Sequence, residues 1–434
     1  MEDQKTLLAV NANTMETPEI ITLQIPKELS FQKYKRVLFM ICFFSSLFGG
    51  TVSTLMSVYL PVAVKDLLVN TGPGQYDNIS AYISSLFIFG WMAGGILWGI
   101  LCDTIGRKQS FIYATLCYGL FTLMTAIAPS WYMVVVSRFM SGFGIGGVLV
   151  ITTMLVSEGY REKRRAVLLG ILSISIPVGI FSAGLINYFI SYWRYAFIVG
   201  AIPVVLSGLA ALFFTESEIW RNAKQKGVEA KNNLKQLFNK ETNGHLIIGS
   251  LIFGTALIGL WATFSWLPSW IQSLIQGSGG QKERGLAMMM MGGGGLLGGF
   301  VSGWIVNAIG VKKTLLLCFG VSFILSVILF KLTTTLSTGV YLQIAFITIF
   351  FGMSQGALSV YIPDLFPTSL RATATGVCFN LGRFFTAVAV FFIGSLVDFL
   401  GGYGNAIFWF SFVFLIGFII TLFSKQAIHS QYSK

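Results

Sequence analysis

Charge is what this sequence has least of. Asp, Glu, Lys and Arg make up 11% of its 434 residues, whereas a soluble globule needs roughly 25% to coat its surface. That shortage excludes the two or three soluble domains that length alone would suggest. Histidine is nearly missing: His245 and His429 both fall in polar flanks, which excludes a histidine-based active site. The cysteines, Cys42, Cys102, Cys117, Cys318 and Cys378, include no CxxC pair. They read as small core residues rather than metal ligands or disulfides. No GxxxxGK[ST] phosphate loop occurs, so an ATP-driven pump is excluded within this chain. No nucleophile–base pair or metal-ligand cluster falls in an apolar run, so neither an enzyme nor a cofactor is expected. A cleavable leader is not expected either, because about 35 mostly polar residues precede the first apolar run.

What the chain has instead is apolar bulk. Hydrophobic residues make up 55%, with 39 Phe and 48 Gly, and the mean hydropathy is +0.76. Such a mixture suits helices packed closely in lipid. A crossing needs about 20 apolar residues. Spans are expected near 37–60, 80–101, 110–128, 131–156, 166–190 and 194–214, then near 246–271, 285–308, 314–331, 339–362, 373–397 and 405–424. The fold class expected is an all-α membrane protein with 12 spans in two six-helix bundles. The bundles would cover 37–214 and 245–424, joined by a solvated linker at 215–244 and flanked by tails at 1–36 and 425–434. The net charge of +12 is scattered in short clusters between spans, which points to topology and not to nucleic acid. With the N-terminus inside, 22 of the 29 Lys and Arg lie in cytoplasmic segments and 5 in outer loops. That bias places both termini in the cytoplasm and the chain in the cell membrane.

The two halves repeat each other. At an offset of 204, Gly94, Gly95, Gly99, Gly106 and Lys108 match Gly298, Gly299, Gly303, Gly310 and Lys312, while Asp103 faces Asn307. At 206, Gly146, Glu158, Arg165 and Gly170 match Gly352, Asp364, Arg371 and Gly376. An even number of spans separates the copies, so the repeats run parallel, and a substrate site is expected between them near mid-membrane.

Three motifs carry a family likeness. Gly99-Ile-Leu-Cys-Asp103-Thr-Ile-Gly106-Arg107-Lys108 lies between spans 2 and 3 and Arg138-Phe-Met-Ser-Gly142-Phe-Gly144-Ile-Gly146 on span 4. Tyr361-Ile-Pro363-Asp364-Leu-Phe-Pro367-Thr-Ser-Leu-Arg371 follows span 10, and Gly376, Asn380 and Arg383 come after it. Together they resemble the major facilitator superfamily, with Thr104 standing where a basic residue is usual. The third motif, Trp193-Arg194 and Glu216-Ser217 resemble its sugar, organic-acid, sialate and niacin branches. The resemblance implies a secondary transporter working by alternating access. Physically, Asp103 is expected at the cytoplasmic mouth near the start of span 11, where a helix N-terminus favours a carboxylate. Gly95 and Gly99 would let spans 2 and 11 approach. Gly99, Asp103, Gly106, Arg107, Lys108, Glu158, Arg165, Asp364 and Arg371 are therefore the expected gating residues.

Residues unique to one half are the candidates for selectivity. No acidic residue falls in the middle of a span, and the charges read within spans are Arg138 and Arg383. Intramembrane charge costs about 2.5–3.5 kcal/mol on insertion scales and so faces a cavity as a rule. Two cations without a carboxylate suit an anion. Gly376, Asn380 and Arg383 share one helical face, and a guanidinium grips a carboxylate bidentately. For Arg138, bonding to helix carbonyls is the competing role. Trp261, Gln355 and Asn187 complete the candidate substrate-binding set. Trp266 and Trp270 read as interfacial anchors, and Asn78-Ile-Ser80 as a glycosylation sequon on an outer loop. Span 1 carries no acid before Asp66, which argues against a built-in proton acceptor of the kind many proton-coupled relatives have there. The reading is a monomer in the bilayer that carries a small organic solute, foremost a carboxylate, with H+ as the candidate coupling ion. A neutral sugar or polyol carrier and a non-transporting sensor are the alternatives.

Overall fold

The computed structural model describes residues 31–68, 73–160, 162–225, 240–275, 279–366 and 371–424. The expected tails lie outside these residues, save 31–36, and so does the linker from 226 to 239. Among the described residues, 12 helices are long and apolar enough to cross a membrane. They are α1 (Gln32–Leu67), α2 (Gln75–Ile105), α3 (Arg107–Ile127), α4 (Trp131–Gly159), α5 (Val167–Phe189) and α6 (Trp193–Phe213), then α7 (Thr242–Ser273), α8 (Gln281–Ile309), α9 (Val311–Leu332), α10 (Thr338–Asp364), α11 (Ala374–Phe399) and α12 (Tyr403–Phe423). Several outrun the spans read from the sequence. Apolar residues mark only the part in hydrocarbon, while backbone hydrogen bonding carries a helix on into the interface. A turn at Ile174 interrupts α5, and a 3-10 stretch, Phe197–Gly200, interrupts α6.

Hydrocarbon gives apolar helices little reason to associate, so shape must hold them together. The repeat supplies that shape twice. A Cβ on Gly94 of α2 would lie 1.9 Å from the Phe143 carbonyl oxygen of α4, and one on Gly298 of α8 would lie 1.8 Å from that of Ile349 in α10. From the opposite side, Gly146 meets the Trp91 carbonyl and Gly95 N–H, as Gly352 meets those of Gly295 and Gly299. The α2–α4 and α8–α10 crossings are thus backbone-to-backbone contacts of the same design. A second crossing is also shared: Gly50 and Gly179 bring α1 onto α5, and Gly254 and Gly382 bring α7 onto α11.

Contacts between the halves run through α1–α7, α2–α11 and α5–α8. We call the end of the molecule where the 215–244 connection leaves α6 the linker face, and the other end the far face. At the far face Tyr403 bonds Asp77, Ser395 bonds Asn78, and Gly184 abuts Gly285. Deeper, Tyr82 stacks on Phe391 at 5.1 Å and Phe89 meets Phe384 at 5.9 Å. Contact between α2 and α11 reaches Gly95 and Asn380. Beyond that, a Cβ on Gly99, Gly170, Gly303 or Gly376 would meet no other helix within 4 Å among the described residues. The halves are closed together at the far face and apart at the linker face. The expected Gly95–Gly99 packing face is therefore used at Gly95 only.

Three sequence expectations change here. Trp266 and Trp270 are buried, the first stacked on Tyr403 and the second edge-on to Phe330, and do not anchor at the interface. Asn78 and Ser80 lie in the first turns of α2, with Ser80 buried and Asn78 accepting from Ser395, so the sequon is not on a loop. The linker is not wholly solvated, since Glu218–Gln225 is helical and packs back onto the α2–α3 turn through Trp220.

The paired crossings make a controlled prediction. Gly94→Ala and Gly298→Ala should each lower the melting temperature in detergent by several degrees, because overpacking costs about 1–3 kcal/mol. Gly293→Ala, whose Cβ has nothing within 4 Å, should leave it unchanged. Size-exclusion chromatography after heating reads the difference.

Candidate functional site

The centre of the molecule is built on hydroxyls and aromatics. Ser53, Met56 and Ser57 of α1, Ile83, Ser84 and Phe87 of α2, Arg138 of α4, and Trp261 and Ser265 of α7 enclose a cavity. Its free space is about 10 Å3, room for one water. Two of the expected site residues, Arg138 and Trp261, thus meet at its wall. Arg138 is 2% exposed. Its guanidinium donates to the Val52 carbonyl at 2.9 Å and the Ser53 carbonyl at 3.3 Å, and lies 4.1 Å from the Phe87 ring centre. It braces α1 against α4 as well as lining the cavity, and its Nε has no partner.

Arg383 and Asn380 come together as their spacing requires. Arg383 Nη1 donates to Asn380 Oδ1 at 3.5 Å, while the Asn380 amide donates to the Gly376 carbonyl at 2.9 Å. The Arg383 guanidinium lies 5.6 Å from the Trp91 ring centre, and Trp91 meets Trp261 edge-on at 5.5 Å. A chain of ring contacts therefore runs from Arg383 to the cavity wall. No carboxylate pairs with Arg138 or Arg383 among the described residues. Sequence reasoning passed over Trp91 and the serines. The hydroxyl-rich run of α1 and the position of Trp91 one residue past Gly90 on the α2 contact face were the available signals.

Other expected site residues lie elsewhere. Asn187 is buried near the far face, where its carbonyl accepts from Gln281 at 2.6 Å, so it belongs to the seam between the halves and not to the cavity. Gln355 of α10 is partly buried with its amide nitrogen unpartnered. Arg284 of α8 is, like Arg138, a buried guanidinium, 3% exposed, donating to Gln272. The span expected at 285–308 leaves it just outside, whereas α8 starts at Gln281.

The expected gating residues gather at the linker face, mostly within the first half. Arg107 bonds Glu158 and Asp103, each at 3.2 Å, and donates to the Cys102 carbonyl at 3.1 Å. Asp103, 48% exposed on its side chain, is engaged there and not at the start of α11. Glu216 accepts from the backbone N–H of Arg107 at 2.7 Å and of Lys108 at 3.2 Å, a carboxylate closing the N-terminus of α3. Gly106 has φ 102°, and a Cβ there would lie 2.2 Å from Glu216 Oε2, so only glycine fits. Trp220 Nε1 donates to the Asp103 carbonyl at 2.7 Å. Glu216 and Trp220 are neighbours that only the fold brings to this loop. Arg165 is exposed and Asp364 is half-buried at the end of α10; the Arg371 side chain lies outside the described residues.

With this geometry in place, comparison with known proteins is specific. The model of the Major Facilitator Superfamily matches residues 37–389. The cis,cis-muconate transport protein of Acinetobacter baylyi is 26% identical over 375 residues, covering 84% of this chain and 88% of the relative. The sialic acid transporter NanX of Escherichia coli is 29% identical over 322 residues, covering 73% and 77%. Among solved structures, a D-xylose–proton symporter superposes with a TM-score of 0.76 at 17% identity, covering 91% of this chain and 99% of that one. The chain belongs to the Major Facilitator Superfamily and is a transporter of small organic solutes.

Proposed function

We propose that this transporter carries a small organic anion, bound between the halves with its carboxylate on Arg383. The observation that carries this reading is the Arg383 guanidinium. It is partly buried, flanked by Asn380 and Trp91, and has no carboxylate partner among the described residues. A cation in that position loses hydration and needs an opposite charge, which a carboxylate solute brings with matching planar geometry. The transport of muconate and sialic acid by relatives supports an acid. The likeness to the xylose symporter extends to the fold alone and does not bear on the solute.

The halves, 37–214 and 245–424, move against each other about the central site. The Lys and Arg bias supports a cytoplasmic linker face, with both termini inside the cell membrane. The present arrangement is then inward-facing. When the linker face closes, Asp103 leaves Arg107 for the N-terminus of α11, with Glu158, Arg165, Asp364 and Arg371 on the two clasping loops.

Two measurements test this. In proteoliposomes supplied with labelled carboxylates and sugars, Arg383→Gln should weaken binding of the transported acid by about 2–5 kcal/mol. Arg383→Lys should recover part of the loss. Arg138→Gln should instead lower thermal stability, since the Val52 and Ser53 carbonyls lose their donor. Near-normal affinity in Arg383→Gln would sink the anion reading and favour a sugar. Separately, Asp103→Asn should raise labelling of linker-face cysteines and slow transport while leaving expression intact. Wild-type labelling and transport would reduce Asp103 to a topological charge.

A further inference from the structure

The α5–α8 seam at the far face holds a buried cation that neither the central site nor the linker-face cluster uses. Arg284 lies in the first turn of α8, where the helix dipole disfavours positive charge and favours an anion. Burial strips it of water as well. Gln272 of α7 accepts from its Nη1 and fixes the guanidinium. Nε has no partner, and no ion pair reaches Arg284, among the described residues.

Across the seam, Asn187 of α5 is in the same condition. It is fully buried, and neither its amide nitrogen nor its amide oxygen has a partner among the described residues. Backbone contacts place the two residues on facing walls. A Cβ on Gly184 would lie 2.6 Å from the Gly285 carbonyl oxygen, and one on Gly285 would lie 2.8 Å from that of Gly184. Asn187 is one turn past Gly184, Arg284 adjoins Gly285, and Gln281 donates to the Asn187 carbonyl at 2.6 Å. Ser269, one turn before Gln272 on α7, is a third buried side chain, and its hydroxyl is also unpartnered. Buried polar groups are paired as a rule, so each orphan needs an explanation. These three come from α5, α7 and α8 and carry one positive charge between them. Asp77 belongs to the other seam, α2–α11, where Tyr403 engages it.

We infer that Arg284 and Asn187 form an outer anion site, which takes the carboxylate of an organic acid when the far face opens and before the acid reaches Arg383. Gln272 belongs to the same half as Arg284, so the guanidinium edge that carries Nε stays oriented when the halves part. A carboxylate fits such an edge through two parallel hydrogen bonds. Asn187, on the opposite wall, offers its amide to the same solute. A positive cleft with low-dielectric walls focuses the field and gathers anions from solution. Closure of glycine on glycine then removes the space, and the acid moves inward. That onward step rests on the Arg383 reading; the outer site itself does not.

The test measures charge selectivity on the way in. Met288 is buried one turn deeper than Arg284 on the same face of α8, so a reagent entering from the far face passes Arg284 to reach it. In vesicles with the far face outward, Met288→Cys is treated with two impermeant thiosulfonates, an anionic sulfonate and a cationic quaternary ammonium. Each rate is normalised to that with free cysteine, and the unsubstituted chain gives the background. The anionic reagent should react several-fold faster. Arg284→Lys should keep the preference and Arg284→Gln should abolish it. Sodium benzoate should lower the anion-to-cation ratio more than sodium chloride at equal ionic strength, and this arm needs no change at position 284. Asn187→Ala should raise the benzoate concentration required several-fold. No preference, a preference that survives Arg284→Gln, or a Met288→Cys that neither reagent reaches overturns the outer site. Equal effects of chloride and benzoate overturn its assignment to carboxylates, and an unchanged benzoate requirement in Asn187→Ala removes Asn187 from it. In Arg383→Gln the ratio should stand unchanged; its loss there would move the selectivity to Arg383 and overturn the outer site. Normal transport by Arg383→Gln with the ratio intact would instead sink the Arg383 reading alone.

Discussion

The architecture depends on backbone-to-backbone contact at helix crossings. A helix that is apolar on every side gains little from hiding one side against another in hydrocarbon. It gains van der Waals contact, and that falls away steeply with distance. Gly94 against Phe143 and Gly298 against Ile349 remove the side chain where the axes cross. With α2 fixed on α4 and α8 on α10, the remaining faces of α2 and α8 are presented to α11 and α5 of the other half. The surface between the halves, and so the site, is a consequence of contacts within each half.

The repeat is geometric before it is chemical. In both halves the turn before α3 or α9 is tied to the chain just after α6 or α12, but with reversed polarity. In the first half the side chain of Glu216 accepts from the backbone at Arg107 and Lys108. In the second, Lys312 donates to the carbonyls of Leu422 and Ser424 at 3.0 and 2.6 Å. Asp103, Arg107 and Glu158 form an ion network whose counterpart begins with the neutral Asn307. One backbone contact is kept while the charge that makes it is free to differ. Such freedom lets one half carry the network while the other carries Arg383, which has no carboxylate partner among the described residues.

Much of this was legible in one dimension. Twelve crossings follow from apolar length, and the matched glycines of the two halves follow from an offset. The convergence of Asn380 and Arg383 follows from three residues on a helix, since local geometry survives any tertiary arrangement. Other features were misread for identifiable reasons. Asp77 and Asn78 sit among polar residues, which read as a loop, yet hydrogen bonding carries α2 out to Pro73, and the second half covers Asp77 and bonds Asn78. Arg284 fell just outside its expected span for the same reason. Trp266 and Trp270 have the composition of an interfacial belt but face inward, because α12 and α9 supply aromatic partners.

The sequence by itself determined the class, the number of crossings, the pseudo-repeat and the absence of a carboxylate in the middle of any span. These depend on the solvent each residue requires and on periodicity along one helix, and both are properties of the chain alone. Only the tertiary structure decided that Arg138 is bound to α1 carbonyls while Arg383 has no acidic partner among the described residues. It alone brought Trp91 to Trp261, Glu216 to the start of α3, and Tyr403 to Asp77 across the far-face seam. Which helix faces which is set by crossings that involve residues from distant parts of the chain. A charge's meaning depends on what stands opposite it, and no pattern along a single strand of residues records that.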